Sequence, residues 1–171
     1  MKNIILLRHA KVAIKNKIIY ANELKDYIKQ YNEANIIKDS NFKINTTNHK
    51  NHILICSTLK RSIQTSQLFD QKLDFSNNLF NEAQLPYTNK KLFKLPINIW
   101  LIIFRTLWFL SYNKNSQSYS QTKKRAKEAA NILIKKSKEN DIVLIGHGIM
   151  NILIKKELKK SKDYNVQFKI L

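Results

Sequence analysis

Three short stretches of this 171-residue chain combine side chains that could hold and transfer a phosphoryl group. Imidazoles are nucleophiles, and the planar fork of a guanidinium matches two phosphate oxygens. One Arg–His pair alone more often marks a strand that ends in solvated residues, so only the three stretches together indicate a site. Each stretch follows a run of apolar residues: Arg8 and His9, Ser57 to Arg61, and His147 between Gly146 and Gly148.

The apolar runs predict strands that bring these side chains together. Residues 4–7, 52–56 and 141–145 contain consecutive apolar residues without a helical period, which is typical of buried parallel strands. The carboxyl ends of parallel strands meet at one edge of a sheet, where α/β folds bind ligands. The sequence therefore predicts a pocket for a dianionic phosphoryl group. The glycines beside His147 are expected to let the backbone approach the ligand closely.

Helical patterns separate the predicted strands. Apolar residues recur at spacings of three and four, and short polar side chains precede two of the helices as caps. Alternating strands and helices predict an α/β fold with three layers, a mostly parallel sheet flanked by helices. The expected helices are 22–31 (capped by Asn22), 59–71 (capped by Ser57 and Thr58), 119–138 and 149–160; the expected minor elements are short strands at 73–75 and 79–80, a last strand at 165–171 and a surface loop at 38–51.

Residues 96–112 predict a helix that is apolar nearly all round, with Asn98 and Arg105 on one narrow strip. Such a helix is buried or meets a partner. It is too short, and too interrupted at Arg105, for a transmembrane span. The open alternatives are a packed lid or core helix, a dimer or partner contact, and a peripheral membrane contact through residues 100–109.

Composition favours one globular domain over residues 1–171, with 43% hydrophobic residues and a net charge of +19. This charge attracts nucleic acid, anionic lipid and phosphorylated small molecules or phosphoproteins. No nucleic-acid-binding signature accompanies it, so nucleic acid is a possible but not a favoured partner. The single cysteine, Cys56, excludes an internal disulfide, and the apolar run 4–7 is too short for a signal peptide. A cytoplasmic location is the expectation.

Four motifs resemble those of the histidine phosphatase superfamily, the phosphoglycerate-mutase-like proteins. Residues 6–10 (LLRHA) resemble its opening Arg-His-Gly motif, and residues 56–65 (CSTLKRSIQT) resemble its second motif. Residues 81–83 (NEA) are similar to its acidic element, and residues 143–148 (VLIGHG) to its closing motif. The four stand in the family's order and near its spacing, which makes the combined match specific although each motif is weak.

The resemblance implies a phosphoglycerate-mutase-like fold, a role for each residue, and a reaction without a metal or other cofactor. His9 would be the nucleophile that forms a phosphohistidine intermediate, and Glu82 the general acid. Arg8, Arg61 and His147 would hold the phosphoryl group. Ser57 either contacts phosphate or only caps a helix, Glu82 has the alternative of an ordinary loop carboxylate, and His147 that of a core histidine. His49 and His52 are expected to be bystanders.

Departures from the family pattern narrow the implied activity. Ala10 stands in place of the usual Gly, as in phosphohistidine-phosphatase-like members, and Thr58 replaces Pro. Val12 and Lys15 stand where mutase-like members often carry Thr and Asn, which disfavours a phosphoglycerate mutase. The expectation is a metal-independent phosphomonoester phosphatase. The alternatives are a phosphohistidine or phosphoprotein phosphatase, and a non-catalytic anion- or nucleic-acid-binding protein on the same fold.

Overall fold

A five-stranded sheet, with every strand pair parallel, carries the apolar runs of the chain. The computed structural model describes residues 2–37, 52–161 and 164–170. The strand order is β4-β3-β6-β1-β7, and β2 and β5 form a separate antiparallel pair. The strands are β1 Lys2–Arg8, β2 Ile18–Tyr20, β3 His52–Cys56, β4 Phe75–Ser76, β5 Lys94–Pro96, β6 Asp141–Gly146 and β7 Tyr164–Ile170; the helices are α1 Leu24–Glu33, α2 Lys60–Ser66, α3 Ile97–Phe109, α4 Tyr119–Lys136 and α5 Gly148–Leu158.

Successive residues of the strands pack on opposite faces of the sheet, as the two-residue period of a strand requires. Ile4 and Leu6 of β1 belong to a core cluster with α4 and α5. Ile5 and Leu7 belong to a second cluster, which includes Phe69 after α2. Both faces of the sheet are therefore covered, and the predicted three-layer α/β fold is confirmed.

Several helices begin or end at residues other than those predicted, and local side-chain hydrogen bonds are found at some of these positions. Asn22 does not cap α1 but lies inside the 3₁₀ turn Ala21–Glu23, where the Glu23 carboxylate accepts from the Tyr20 N–H at 2.6 Å. Helix α2 ends at Ser66, not at residue 71, and the Ser66 hydroxyl donates to the carbonyl of Ile63 at 2.8 Å. Leu59 occupies the cap position of α2 without a side-chain bond, so the predicted Ser57 and Thr58 cap is wrong.

The predicted strand at 79–80 is also wrong. The Asn77 side chain accepts from the Leu79 N–H at 2.9 Å, and this bond starts the 3₁₀ turn Asn78–Phe80. Phe80 is fully buried in the cluster under α4. The turn therefore anchors the loop that leads to Glu82, while the predicted loop at 38–51 lies outside the described residues.

Helix α3 packs with α1 and the small β2–β5 sheet. Ile97, Trp100 and Phe104 are buried against Leu24 and Tyr27, and the Trp100 indole N–H donates to the carbonyl of Ile19 at 2.9 Å. The helix ends in a Schellman arrangement, with Ser111 at φ 70° and the Tyr112 N–H bonded to the Leu107 carbonyl. Among the described residues, no helix is both long and apolar enough to cross a membrane.

Candidate active site

The parallel register brings three predicted site stretches to one edge of the sheet. Arg8 lies opposite Gly146 in the ladder between β1 and β6. Beyond the strands, the His9 N–H donates to the Gly146 carbonyl, and the Ser57 N–H to the Ile145 carbonyl, both at 3.1 Å. Backbone hydrogen bonds alone thus fix the chain at His9, at Ser57 and next to His147.

His9 is held as a neutral imidazole with a defined tautomer. Its Nδ1 lies 2.8 Å from the Ala10 carbonyl, which can only accept, so Nδ1 carries the proton and Nε2 is left as an acceptor. Burial, with the Arg61 and Arg8 guanidiniums, lowers the pKa of His9 to about 4. The ring is 5% exposed and lines the cavity described below. This combination leaves an imidazole that is uncharged at neutral pH.

Arg61 lies beside His9. Its Nε is 3.0 Å from His9 Nε2, one terminal nitrogen donates to the Asn32 side chain at 2.6 Å, and the guanidinium stacks 5.0 Å from the centre of the Tyr31 ring. These contacts fix the plane of the guanidinium. Arg8 lines the same cavity but is exposed, so it contributes charge with less geometric restraint.

His147 lies behind His9 and is fully buried, with the two ring centres 5.1 Å apart. Its Nε2 is 2.7 Å from the Ser57 hydroxyl, which also accepts from the Leu59 N–H at 3.3 Å. The Ser62 hydroxyl lies 3.3 Å from the same ring nitrogen. His147 Nδ1 is buried and has no hydrogen-bond partner within the described part of the chain. Burial, reinforced by the charge of Arg61, lowers the pKa of His147 well below its usual value.

Gly146 makes room for a side chain, not for a ligand. A Cβ atom at Gly146 would lie 2.3 Å from Oδ1 of Asn151, whose amide donates to the Leu7 carbonyl at 2.9 Å. A Cβ at Gly148 would lie 3.8 Å from the Glu82 carboxylate. The expectation that both glycines open the backbone to the ligand is therefore wrong for Gly146, because the space belongs to Asn151.

Glu82 lies in a loop at the amino end of α5. Its carboxylate accepts from the N–H groups of Ala83, Ile149 and Met150 at 2.8, 3.4 and 3.1 Å. Arg125 of α4 holds the loop from behind by donating to main-chain carbonyls, including that of Asn81 at 2.7 Å. These contacts place the carboxylate on the wall of the cavity.

One cavity of about 1090 Å³ joins these groups to the helices α1 and α3. Arg8, His9, Arg61 and Glu82 line it, whereas the predicted phosphate ligands Ser57 and His147 do not, because both are fully buried behind His9. The cavity is far larger than one phosphate group. Its helical wall includes Tyr27, Tyr31, Leu101, Ile102, Arg105 and Phe109.

Arg105 also lines the cavity, although the sequence predicts no functional role for it. Its Nη2 donates to the Ala83 carbonyl at 2.9 Å, and its guanidinium lies 4.8 Å from the centre of the Trp108 ring. Nη1 is buried without a partner among the described residues. Burial lowers the pKa of Arg105, and the negative charge of Glu82 opposes that shift. The signal in the sequence was its position with Asn98 on the only polar strip of an apolar helix.

The expected bystanders lie away from this group. His52 is buried at the start of β3, at the opposite end of that strand from Ser57, and His49 lies outside the described residues. Within the described ranges, no group of three or more His, Cys, Asp or Glu side chains is placed to hold a metal ion.

Comparison with known proteins relates this architecture to a known fold. A solved structure of the open reading frame Rv3214 from Mycobacterium tuberculosis matches 98% of this chain and 87% of its own, with a TM-score of 0.57 and 15% sequence identity. The chain shares the fold of that protein. A candidate alpha-ribazole-5'-P phosphatase of Escherichia coli K-12 matches 88% of this chain and 76% of its own at 14% identity, but its TM-score of 0.47 does not establish a shared fold. No family model and no curated protein matches the sequence.

Proposed function

We propose that this protein is a phosphomonoester phosphatase that acts through a phosphohistidine intermediate on His9. The observation that carries the proposal is the neutral His9 imidazole, with its Nε2 electron pair at the cavity and 3.0 Å from Arg61 Nε. A phosphoryl oxygen would accept the hydrogen bond that Arg61 now donates to His9. The same guanidinium would then stabilise the transition-state charge while Nε2 attacks.

Each step has a named proton donor or acceptor. His9 Nε2 attacks phosphorus, the P–O ester bond breaks, and protonated Glu82 gives its proton to the leaving oxygen. Water then attacks the phosphohistidine, the P–N bond breaks, and the Glu82 carboxylate takes a proton from that water. Alcohol and inorganic phosphate leave, and His9 and Glu82 return to their starting states. No step is assigned to a metal or cofactor.

His147 and Ser57 are proposed to act at the rear of the phosphoryl group. In this role the Ser57 hydroxyl donates to His147 Nε2, and Nδ1, which has no partner among the described residues, carries the proton and donates to a phosphoryl oxygen. The small distance between the two rings supports this role, although His147 does not line the cavity.

The cavity supports a substrate with a body much larger than its phosphate. Aromatic and aliphatic side chains of α1 and α3 surround the part of the cavity away from His9, where Arg105 is a partly buried cation. Such a wall suits a phosphorylated small molecule with an apolar or aromatic portion, or the phosphorylated side chain of a peptide.

Hydrolysis of a generic aryl phosphate by the full-length protein tests the proposal. We expect His9→Ala to lower kcat by at least about 10³-fold, because a covalent route then lacks its nucleophile. His52→Ala is the matched control, since it removes a buried histidine from another strand of the same sheet. A His9→Ala protein that keeps full activity while folded would refute the proposal.

A further inference from the structure

Helix α3 turns an uncharged apolar face outward. Ile99, Ile102, Phe109 and Leu110 are 43, 63, 48 and 73% exposed, and Thr106 lies among them. At 3.6 residues per turn these positions form one stripe along the helix and its final turn. A contiguous exposed face of this kind marks an interaction surface more often than isolated exposed residues do.

All charged residues in the part of the chain around this face are basic. Residues 83–127 contain nine lysines and arginines and no aspartate or glutamate. Lys90, Lys91 and Lys94 are exposed immediately before α3, and Lys114 is exposed after it. Phe93, 65% exposed, lies between these lysines and stacks on Trp100. Exposed cationic groups therefore flank the apolar helix in the chain.

Charge decides which occupant fits this face. A second copy would bring another net charge of +19 to a basic surface, so self-association is opposed. Nucleic acid would form ionic contacts with the lysines but would not bury the aliphatic side chains of the stripe. The surface of an anionic bilayer satisfies both, because lysines contact the headgroups while aliphatic side chains enter the acyl boundary.

We propose that the apolar face of α3, flanked by Lys90, Lys91 and Lys94, docks on the surface of an anionic lipid bilayer. Ile102 and Phe109 line the cavity as well as the exposed face, so the docked surface borders the cavity. Trp100 and Trp108 point into the protein and do not take part. The proposal is independent of the chemistry assigned to His9.

Sedimentation of the full-length protein with extruded vesicles tests this proposal. We expect at least 10-fold stronger binding to vesicles of phosphatidylcholine with 30% phosphatidylserine than to phosphatidylcholine alone. The double variant Ile99→Ser/Leu110→Ser should weaken binding at least 5-fold. Ile152→Ser, which changes an aliphatic residue of similar exposure (41%) on α5, should change binding less than 2-fold.

A pair of charge variants separates a specific surface from general attraction. Lys90→Gln/Lys91→Gln/Lys94→Gln should weaken binding at least 5-fold, whereas Lys135→Gln/Lys138→Gln/Lys159→Gln, with the same change in net charge, should change it less than 2-fold. Equal losses in the two triple variants would overturn the proposal. So would a dimer that forms without vesicles and is lost in Ile99→Ser/Leu110→Ser, or binding to RNA with none to vesicles.

A fluorescent label reports insertion directly. Cys56 is fully buried and burial raises the pKa of its thiol to about 11, so it will not compete for a thiol-reactive dye. A polarity-sensitive dye on Leu110→Cys should shift to the blue with phosphatidylserine vesicles, and the same dye on Ile152→Cys should not. No shift at Leu110→Cys, or equal shifts at both sites, would contradict docking through α3.

Discussion

The two ends of the cavity are held in place by different kinds of contact. At the sheet edge, main-chain bonds between strands fix His9, and a side-chain hydrogen bond links it to Arg61. At the helical end, α3 is held by the packing of Trp100 and Phe104 and leaves Ile102 and Phe109 exposed. A backbone ladder leaves little freedom, whereas packed helices can shift and be substituted. The sheet edge suits chemistry that needs fixed geometry, and the helical end suits binding.

The largest expected effect comes from the sheet edge. Arg61→Ala should lower kcat/KM for an aryl phosphate by about 10²–10³-fold, because a preorganised donor to the developing charge is lost. Lys60→Ala, at the adjacent residue, should change it less than 3-fold, since Lys60 Nζ bonds the Glu33 carbonyl and does not line the cavity. Similar losses in the two variants would show that the edge supplies only general positive charge.

Gly146→Ala tests how tightly the sheet edge is built. The new methyl would lie 2.3 Å from Asn151 Oδ1, so the free energy of unfolding should fall by about 2 kcal/mol. Gly148→Ala has ordinary contact distances and should change it by less than about 0.5 kcal/mol. Urea unfolding measures both, and equal stabilities would mean that Asn151 yields easily.

The His9 pKa predicts a pH effect on stability. Between pH 6.5 and about 4 the unfolded chain binds a proton at His9 that the folded chain excludes, so stability falls as pH falls through this window. From pH 7 to 4.5 the wild type should lose about 2 kcal/mol more than His9→Asn. His147 is present in both proteins, and burial, the largest cause of its lowered pKa, is common to them. An equal loss in urea unfolding would contradict a buried, neutral His9.

At the helical end of the cavity the expected effect of a substitution is smaller, and it changes substrate binding more than kcat. Arg105→Gln should raise KM about 10-fold for a substrate with a second anionic group, because Nη1 is a buried donor that no described residue bonds. The change in kcat should stay below 3-fold. A fall in kcat instead would mean that Arg105 acts by placing Glu82 through its bond to Ala83.

The same contrast explains what the sequence could predict. The apolar runs predicted β1, β3 and β6, and parallel register then brought Arg8, His9 and Arg61 to one edge, because strand pairing repeats a local pattern. The roles proposed for these residues remain predictions.

The remaining features depend on individual side-chain contacts, which no hydrophobic period or motif in the sequence reports. The space at Gly146 belongs to Asn151, five residues later, and Arg105 reaches Ala83 across 22 positions of the chain. Neither partner shares a period or motif with the residue that it contacts. The apolar pair 79–80 predicted a strand, but the Asn77 side chain accepts a hydrogen bond from the Leu79 N–H and the chain forms the turn Asn78–Phe80 instead.

The most direct test of the account is to trap phosphate on the protein during turnover. Wild-type protein mixed with an aryl phosphate and quenched in alkali should carry an acid-labile phosphoryl group, which peptide mass spectrometry should locate on His9. Glu82→Gln should accumulate more of it, because the general base for hydrolysis is lost while a phenol with a low pKa still leaves. Turnover with no phosphorylated protein, or with the phosphoryl group on any other residue, would contradict His9 as the nucleophile.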